Sequence, residues 1–210
     1  MKTYREYCAL AQALDVVGER WTLLIVRELL IQGACRYTDL RNGLPGIATN
    51  LLAERLREME KAGLVSREDA PPPVATTLFR LTKRGEELKP VVEALGRWGG
   101  PLVARPIADE EFRSHWLALP IELHLTDNAP HEPPITIEVR TGGEPMLVET
   151  VDGRVRARPG SSDHPNAVVS GTASQLLGLL TGKIDLAEAR RRGAKFEGDP
   201  KALDRVQPRP

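Results

Sequence analysis

The sequence is poor in several things. Its 210 residues include two cysteines and three each of tryptophan, tyrosine and phenylalanine. Two cysteines build neither a disulfide framework nor a four-cysteine zinc site, which predicts reduced thiols and a cytoplasmic location. With aromatics at 4%, any core must be made of leucine, valine, isoleucine and alanine. Strictly apolar runs last a few residues, far short of the ~20 needed to cross a bilayer, so no membrane is expected as partner. The start, Met1-Lys2-Thr3-Tyr4-Arg5-Glu6, has no apolar stretch of the signal-peptide kind. Net charge is zero. Residues 1–105 carry 16 Lys+Arg and 13 Asp+Glu, residues 106–210 the reverse, 13 and 16. A first half at +3 permits a nucleic-acid partner without demanding one.

What is present is punctuation. Cys8–Val17 and Arg20–Ile31 are apolar on most faces and stop at Gly18 and Gly33, the pattern of helices buried against others. A short segment, Tyr37–Asn42, precedes the breakers Gly43, Pro45 and Gly46. A longer helix follows over Thr49–Ala62, with Leu52, Leu56 and Met59 as its apolar stripe and Gly63 as its C-cap. Leu64–Glu68 and Thr76–Leu81 read as strands of a hairpin across Pro71-Pro72-Pro73. Thr82 caps a helix to Trp98 that Pro90 should bend.

The second half changes texture. Asp109–Leu119 reads as a helix, and Ile121-Glu122-Leu123-His124-Leu125 alternates like a half-buried strand. Further strands are expected at 135–139, 146–151, 154–157, 167–169 and 195–197, with a hairpin turn at Asp152-Gly153. Helices follow the caps Thr172, Asp185 and Asp199. This predicts two domains, 1–104 and 105–210: a mainly α winged helix-turn-helix, then a small α+β domain whose strands are covered by short helices.

In that arrangement the helix from Thr49 turns one face to a major groove. Thr49, Asn50, Ala53, Glu54 and Arg57 point outward, with Arg55 at the edge. Asparagine and arginine suit adenine and guanine edges, and threonine a thymine methyl. Arg36, Thr38 and Arg41 are placed to hold phosphate. The competing reading is a solvated helix, since Glu54, Glu58 and Glu60 offset Arg55, Arg57 and Lys61. No histidine spacing suits a metal, no cofactor loop follows a strand, and no nucleophile elbow is present, so the chain reads as no enzyme.

Ala13-Leu14-Asp15-Val16-Val17-Gly18-Glu19-Arg20-Trp21-Thr22-Leu23-Leu24-Ile25 resembles the opening of HxlR-type transcriptional regulators, a branch of the MarR-like winged helix proteins. Arg36–Leu40, Leu44–Ile47, the run Leu51–Val65, Leu81–Gly85 and Trp98-Gly99 resemble later elements of that family, in order, over about residues 5–100. The resemblance implies a homodimer held by terminal helices, with two recognition helices on palindromic double-stranded DNA, most naturally as a repressor. The family's wing often carries a basic residue. Here Pro71–Thr77 has none, leaving Arg67 and Arg80 at the wing's base. A cysteine near the N-terminus is common in the family, and some members sense oxidants with it. Cys8 is either such a thiol or a small core residue beside Ala9, Leu10 and Ala13; the second is preferred, because free cysteine is usually buried. Cys35, in a turn between helices, is a candidate to pair with Cys8 of another subunit.

Pro165–Gly171, Leu176–Asp185 and Phe196–Asp199 resemble the closing half of sterol-carrier-protein-like domains, over about 120–206. That resemblance implies a pocket for an apolar ligand, with Leu176, Leu177 and Leu180 as candidate lining, although the same leucines can simply cover the sheet. The rival to a ligand- or thiol-modulated regulator is a lipid-binding carrier whose helical domain only mediates association.

Overall fold

The computed structural model describes residues 3–70, 76–104 and 111–208. The chain divides into two units, Met1–Ala104 and Arg105–Pro210.

In the first unit, α1 (Ala9–Val17) ends at Gly18, where a Cβ would lie 2.5 Å from the Leu14 carbonyl oxygen. Next come α2 (Thr22–Gln32), β1 (Cys35–Arg36), α3 (Tyr37–Gly43) and α4 (Thr49–Lys61). Strands β2 (Val65–Asp69) and β3 (Thr77–Leu81) pair antiparallel, Val65 opposite Leu81 and Asp69 opposite Thr77, as the hairpin pattern requires. The triple-proline turn lies outside the described residues. The core gathers Ile25, Val26 and Leu29 of α2, Leu40 of α3, Leu52, Leu56 and Met59 of α4, and Val65 and Leu81 of the sheet.

Three local expectations change here. Cys35 belongs to β1, which pairs with β3 to give the order β1-β3-β2; two residues are too short a strand to show a period. Gly63 sits one place beyond the helix end at Ala62, at φ +69°, the left-handed position that stops α4. Pro90 breaks the helix rather than bending it. Thr82 Oγ1 accepts from the Gly85 N–H at 3.2 Å to start α5 (Lys83–Glu86), and α6 (Lys89–Gly99) begins anew with Pro90 in its first turn. There the ring has no preceding turn to strike.

The second unit opens with a 3₁₀ turn, Ser114–Leu117, and α7 (Ala118–His124). The strand expected at 121–125 is therefore helix for most of its length. Leu117, Ala118, Ile121 and Leu125 are all buried, and spacings of three and four are a helical stripe that alternation imitates over five residues. Pro120 is tolerated because it stands in the first turn. The expected helix start at Asp109 lies outside the described residues. Then follow β4 (Leu125–Asp127), β5 (Thr136–Arg140), β6 (Met146–Val151), β7 (Arg154–Pro159), β8 (Ala167–Ser170), α8 (Ala173–Leu180), α9 (Leu186–Arg191), β9 (Lys195–Gly198), α10 (Pro200–Arg205) and β10 (Val206–Pro208). The main sheet runs β7-β6-β5-β8-β9, antiparallel except for β5 with β8. Asp152 and Gly153 take φ +50° and +69° between β6 and β7, the turn that Asp-Gly favours. β10 returns to pair with β4.

Candidate nucleic-acid interface

The polar face of α4 is set by its apolar one. Leu52, Leu56 and Met59 are at most 2% exposed, so the opposite side must face water. Thr49, Asn50, Glu54 and Arg57 are exposed there and Ala53 is half-buried. Arg57 Nε donates to the Ala53 carbonyl at 3.2 Å, laying the side chain back along its own helix. Ala48 precedes the helix without a side-chain cap. The first-turn N–H groups and the positive end of the helix dipole are thus not engaged by a capping side chain.

The supporting helix α3 is fixed at its start by two bonds. The Arg36 N–H donates to Asp39 Oδ2 at 2.9 Å, closing its start, and Tyr37 Oη donates to the Thr49 carbonyl at 2.6 Å, tying α3 to the first turn of α4. Arg36, Thr38 and Arg41 are exposed beside it.

Two predicted groups change character. Arg55 is no edge residue: it is 8% exposed, with Nη1 2.7 Å from Glu58 Oε2 and 3.7 Å from Glu19 Oε2, and Nη2 3.6 Å from Glu54 Oε1. Its charge is committed inside the protein. Arg67 and Arg80 are exposed, but each is met by a carboxylate, Glu60 at 3.2 Å and Glu68 at 3.0 Å. The wing's base is therefore close to neutral.

Sequence reasoning missed the buried anchor of the motif, Glu28. This carboxylate is 0% exposed in the middle of α2. It accepts Arg27 Nε at 3.0 Å, Arg27 Nη2 at 2.7 Å and Gln32 Nε2 at 2.7 Å. A Cβ on Gly43 would stand 2.1 Å from Glu28 Oε2, so any larger residue there has to displace this carboxylate from its bonded position. The available signal was a lone acid within the apolar run Thr22–Ile31, where an unpaired charge would be costly.

The thiols also depart from expectation. Cys8, preferred as a core residue, is exposed. It precedes α1, and the N–H groups of Ala11 and then Leu10 hold its pKa below the ordinary thiol value. Cys35 is buried; desolvation first, then the carboxylates of Asp39 and Glu28, push its pKa up to about 12. A buried thiol of that kind is not placed to pair with another subunit's Cys8.

In the second unit Leu176 and Leu180 are buried and Leu177 is half-buried, on the helix α8 that packs beside α7 and α9. Among the described residues no group of three or more His, Cys, Asp or Glu could hold a metal, and no helix is long and apolar enough to cross a membrane.

Residues 16–105 match the family described as HxlR-like helix-turn-helix. The uncharacterised HTH-type transcriptional regulator YvaP of Bacillus subtilis (strain 168) is 33% identical over 87 residues, 41% of this chain and 80% of that protein. The chain belongs to the HxlR-like helix-turn-helix family. YkvN, another uncharacterised HTH-type regulator of that strain, is 33% identical over 50% of this chain and 88% of its own length. The solved structure of the reduced form of the regulator YodB from B. subtilis is 28% identical, covering 47% of this chain and 96% of that one, with a TM-score of 0.41. Within this HxlR-like unit, α3 and α4 form the helix-turn-helix, and β2–β3 the wing.

Proposed function

We propose that the protein is a homodimeric, DNA-binding transcriptional regulator that reads a palindromic operator with α4 and represses by occupying it. The observation that carries this reading is the face of α4: a polar side bearing Thr49, Asn50, Glu54 and Arg57 stands opposite a buried stripe, within a unit whose relatives are named transcriptional regulators. Asn50 and Arg57 supply base contacts, while Arg36, Thr38 and Arg41 supply phosphate contacts. Arg67 and Arg80 join the latter only by giving up their carboxylate partners.

The dimer reading rests on a second surface. Leu10 and Leu14 of α1, and Val91, Leu95 and Trp98 of α6, are 39–75% exposed. Large apolar side chains clustered on two terminal helices call for a partner, and a second copy supplies the symmetry a palindrome needs. The exposed Cys8 starts α1, so its oxidation is a route from redox state to that interface. The second unit, read as sterol-carrier-like, offers an apolar ligand as the other input, with Leu176, Leu177 and Leu180 as its wall. Either input works only by favouring the conformation that does not bind DNA.

The test is capture of genomic fragments by the purified, reduced protein at two salt concentrations. A recovered palindrome, lost in Asn50→Ala and Arg57→Ala, supports the reading. No enriched site at low salt overturns it and favours the carrier reading, which lipid extraction and mass spectrometry would then address.

A further inference from the structure

The one arginine of α4 that faces inward has a different task. Arg55 is held between three carboxylates, two from its own helix and one, Glu19, from the turn between α1 and α2. That turn has little freedom. Gly18 admits no side chain against Leu14, and Trp21 sits at φ +84°, a left-handed conformation that a tryptophan adopts only under constraint from its surroundings. The Trp21 ring packs against the same core as α4. The backbone that carries Glu19 is therefore constrained, and its carboxylate, 52% exposed, lies 3.7 Å from the guanidinium that Glu58 of α4 meets at 2.7 Å.

The arrangement is not built for contact with a ligand. The Arg55 side chain is 10% exposed, and its Nε has no hydrogen-bond partner among the described residues, so the group is held through its two Nη atoms. The charges also matter collectively. Without Arg55, Glu19, Glu54 and Glu58 would face one another, and Glu54 and Glu58 lie on the helix offered to a polyanion.

We propose that Arg55 is a positioning residue for DNA recognition: it touches no DNA, but sets the seating of α4 against the α1–α2 turn and orients Glu54 on the reading face. This rests on the reading that α4 enters the groove. It assigns specificity to a residue outside the contact set, and it makes the α1–α2 turn part of the recognition apparatus.

The test compares wild type, Arg55→Gln, Arg41→Gln and Glu19→Gln, full length, on the operator duplex selected by wild type and on a scrambled duplex of equal length, across a salt series. Arg41→Gln removes a phosphate contact and should flatten the slope of log K against log salt by about one on both duplexes. Arg55→Gln should leave the slope on scrambled DNA unchanged and lower the ratio of operator to scrambled affinity about tenfold, with Arg55→Lys recovering part of it. Glu19→Gln should lower the ratio by a smaller factor and add nothing to Arg55→Gln, the mark of one shared contact. Should Arg55→Gln fail to fold, Arg55→Lys and Glu19→Gln, with melting temperatures as control, carry the same comparison. A flattened slope in Arg55→Gln, or an unchanged ratio in both Arg55→Gln and Glu19→Gln, overturns the proposal while leaving α4 as the reader. A wild type that selects no operator overturns both.

Discussion

Arg205→Met should unfold the second unit far more easily at neutral pH, and the reason is a single buried ion pair. Arg205 and Asp127 have side chains 7% and 1% exposed, and they join α10 to β4 across 78 residues of chain. Arg205 donates Nε to Oδ1 at 2.8 Å and Nη2 to Oδ2 at 3.1 Å, and also reaches the carbonyls of Glu132 at 3.2 Å and Pro133 at 2.5 Å. Methionine keeps much of the volume, so the loss is chiefly electrostatic. Asp127 retains the Ala129 N–H at 3.0 Å and little else to balance its charge. Breaking one side of such a pair costs about 3–5 kcal/mol, which in a unit of this size lowers its melting temperature by roughly 15 °C or more. The Arg205 hydrogen bond is also the main reason that the pKa of Asp127 lies below the ordinary carboxylate value. A depressed carboxylate pKa stabilises the fold above the unfolded value of about 3.9 and ceases to do so as pH falls through the folded value. The gap between wild type and Arg205→Met should therefore be full at pH 7 and shrink below about pH 4. Urea unfolding at pH 7 and pH 3, with hydrogen exchange at β4 and β10 as the local reporter, measures it. The reasoning fails if Arg205→Met lies within about 1 kcal/mol of wild type at pH 7, or if Asp127→Leu combined with Arg205→Met is no more stable than Arg205→Met alone.

Other outcomes follow from the same structure. Asn50→Ala and Arg57→Ala should each cost operator binding about 1–3 kcal/mol, read by titration against matched and mismatched duplexes. Trp98→Glu, placing a charge on the exposed face of α6, should shift the protein towards monomer in sedimentation and weaken palindrome binding without changing the melting temperature of the monomer. Iodoacetamide at pH 7.5 should label Cys8 in the folded protein and leave Cys35 unlabelled until denaturant is added; peptide mass spectrometry distinguishes them. Gly85→Ala should destabilise the first unit by roughly 1–3 kcal/mol, because its Cβ would stand 2.1 Å from the Leu64 carbonyl oxygen, a backbone atom that cannot swing aside.

Some of this is written locally in the chain. Leu52, Leu56 and Met59 recur at helical spacing, so the sequence alone turns α4's polar side outward. Thr82, Thr172 and Asp185 announce helices because a short oxygen-bearing side chain satisfies an N–H of the first turn, and each accepts that bond in the structure. Asp152-Gly153 marks a hairpin because those two residues tolerate positive φ. The rest depends on what lies across space. Five residues at 121–125 satisfy both a strand and a helix period, and the neighbours of Ile121 and Leu125 in the fold decide between them. β1 and β10 are too short to show a period and exist because β3 and β4 offer them partners. Arginines 55 and 57 are indistinguishable as letters, yet packing takes one into a nest of carboxylates and leaves the other on the surface. Cys8 and Cys35 separate in the same way. Reactivity and charge pairing depend on desolvation and on partners distant in sequence, and only the assembled fold supplies either.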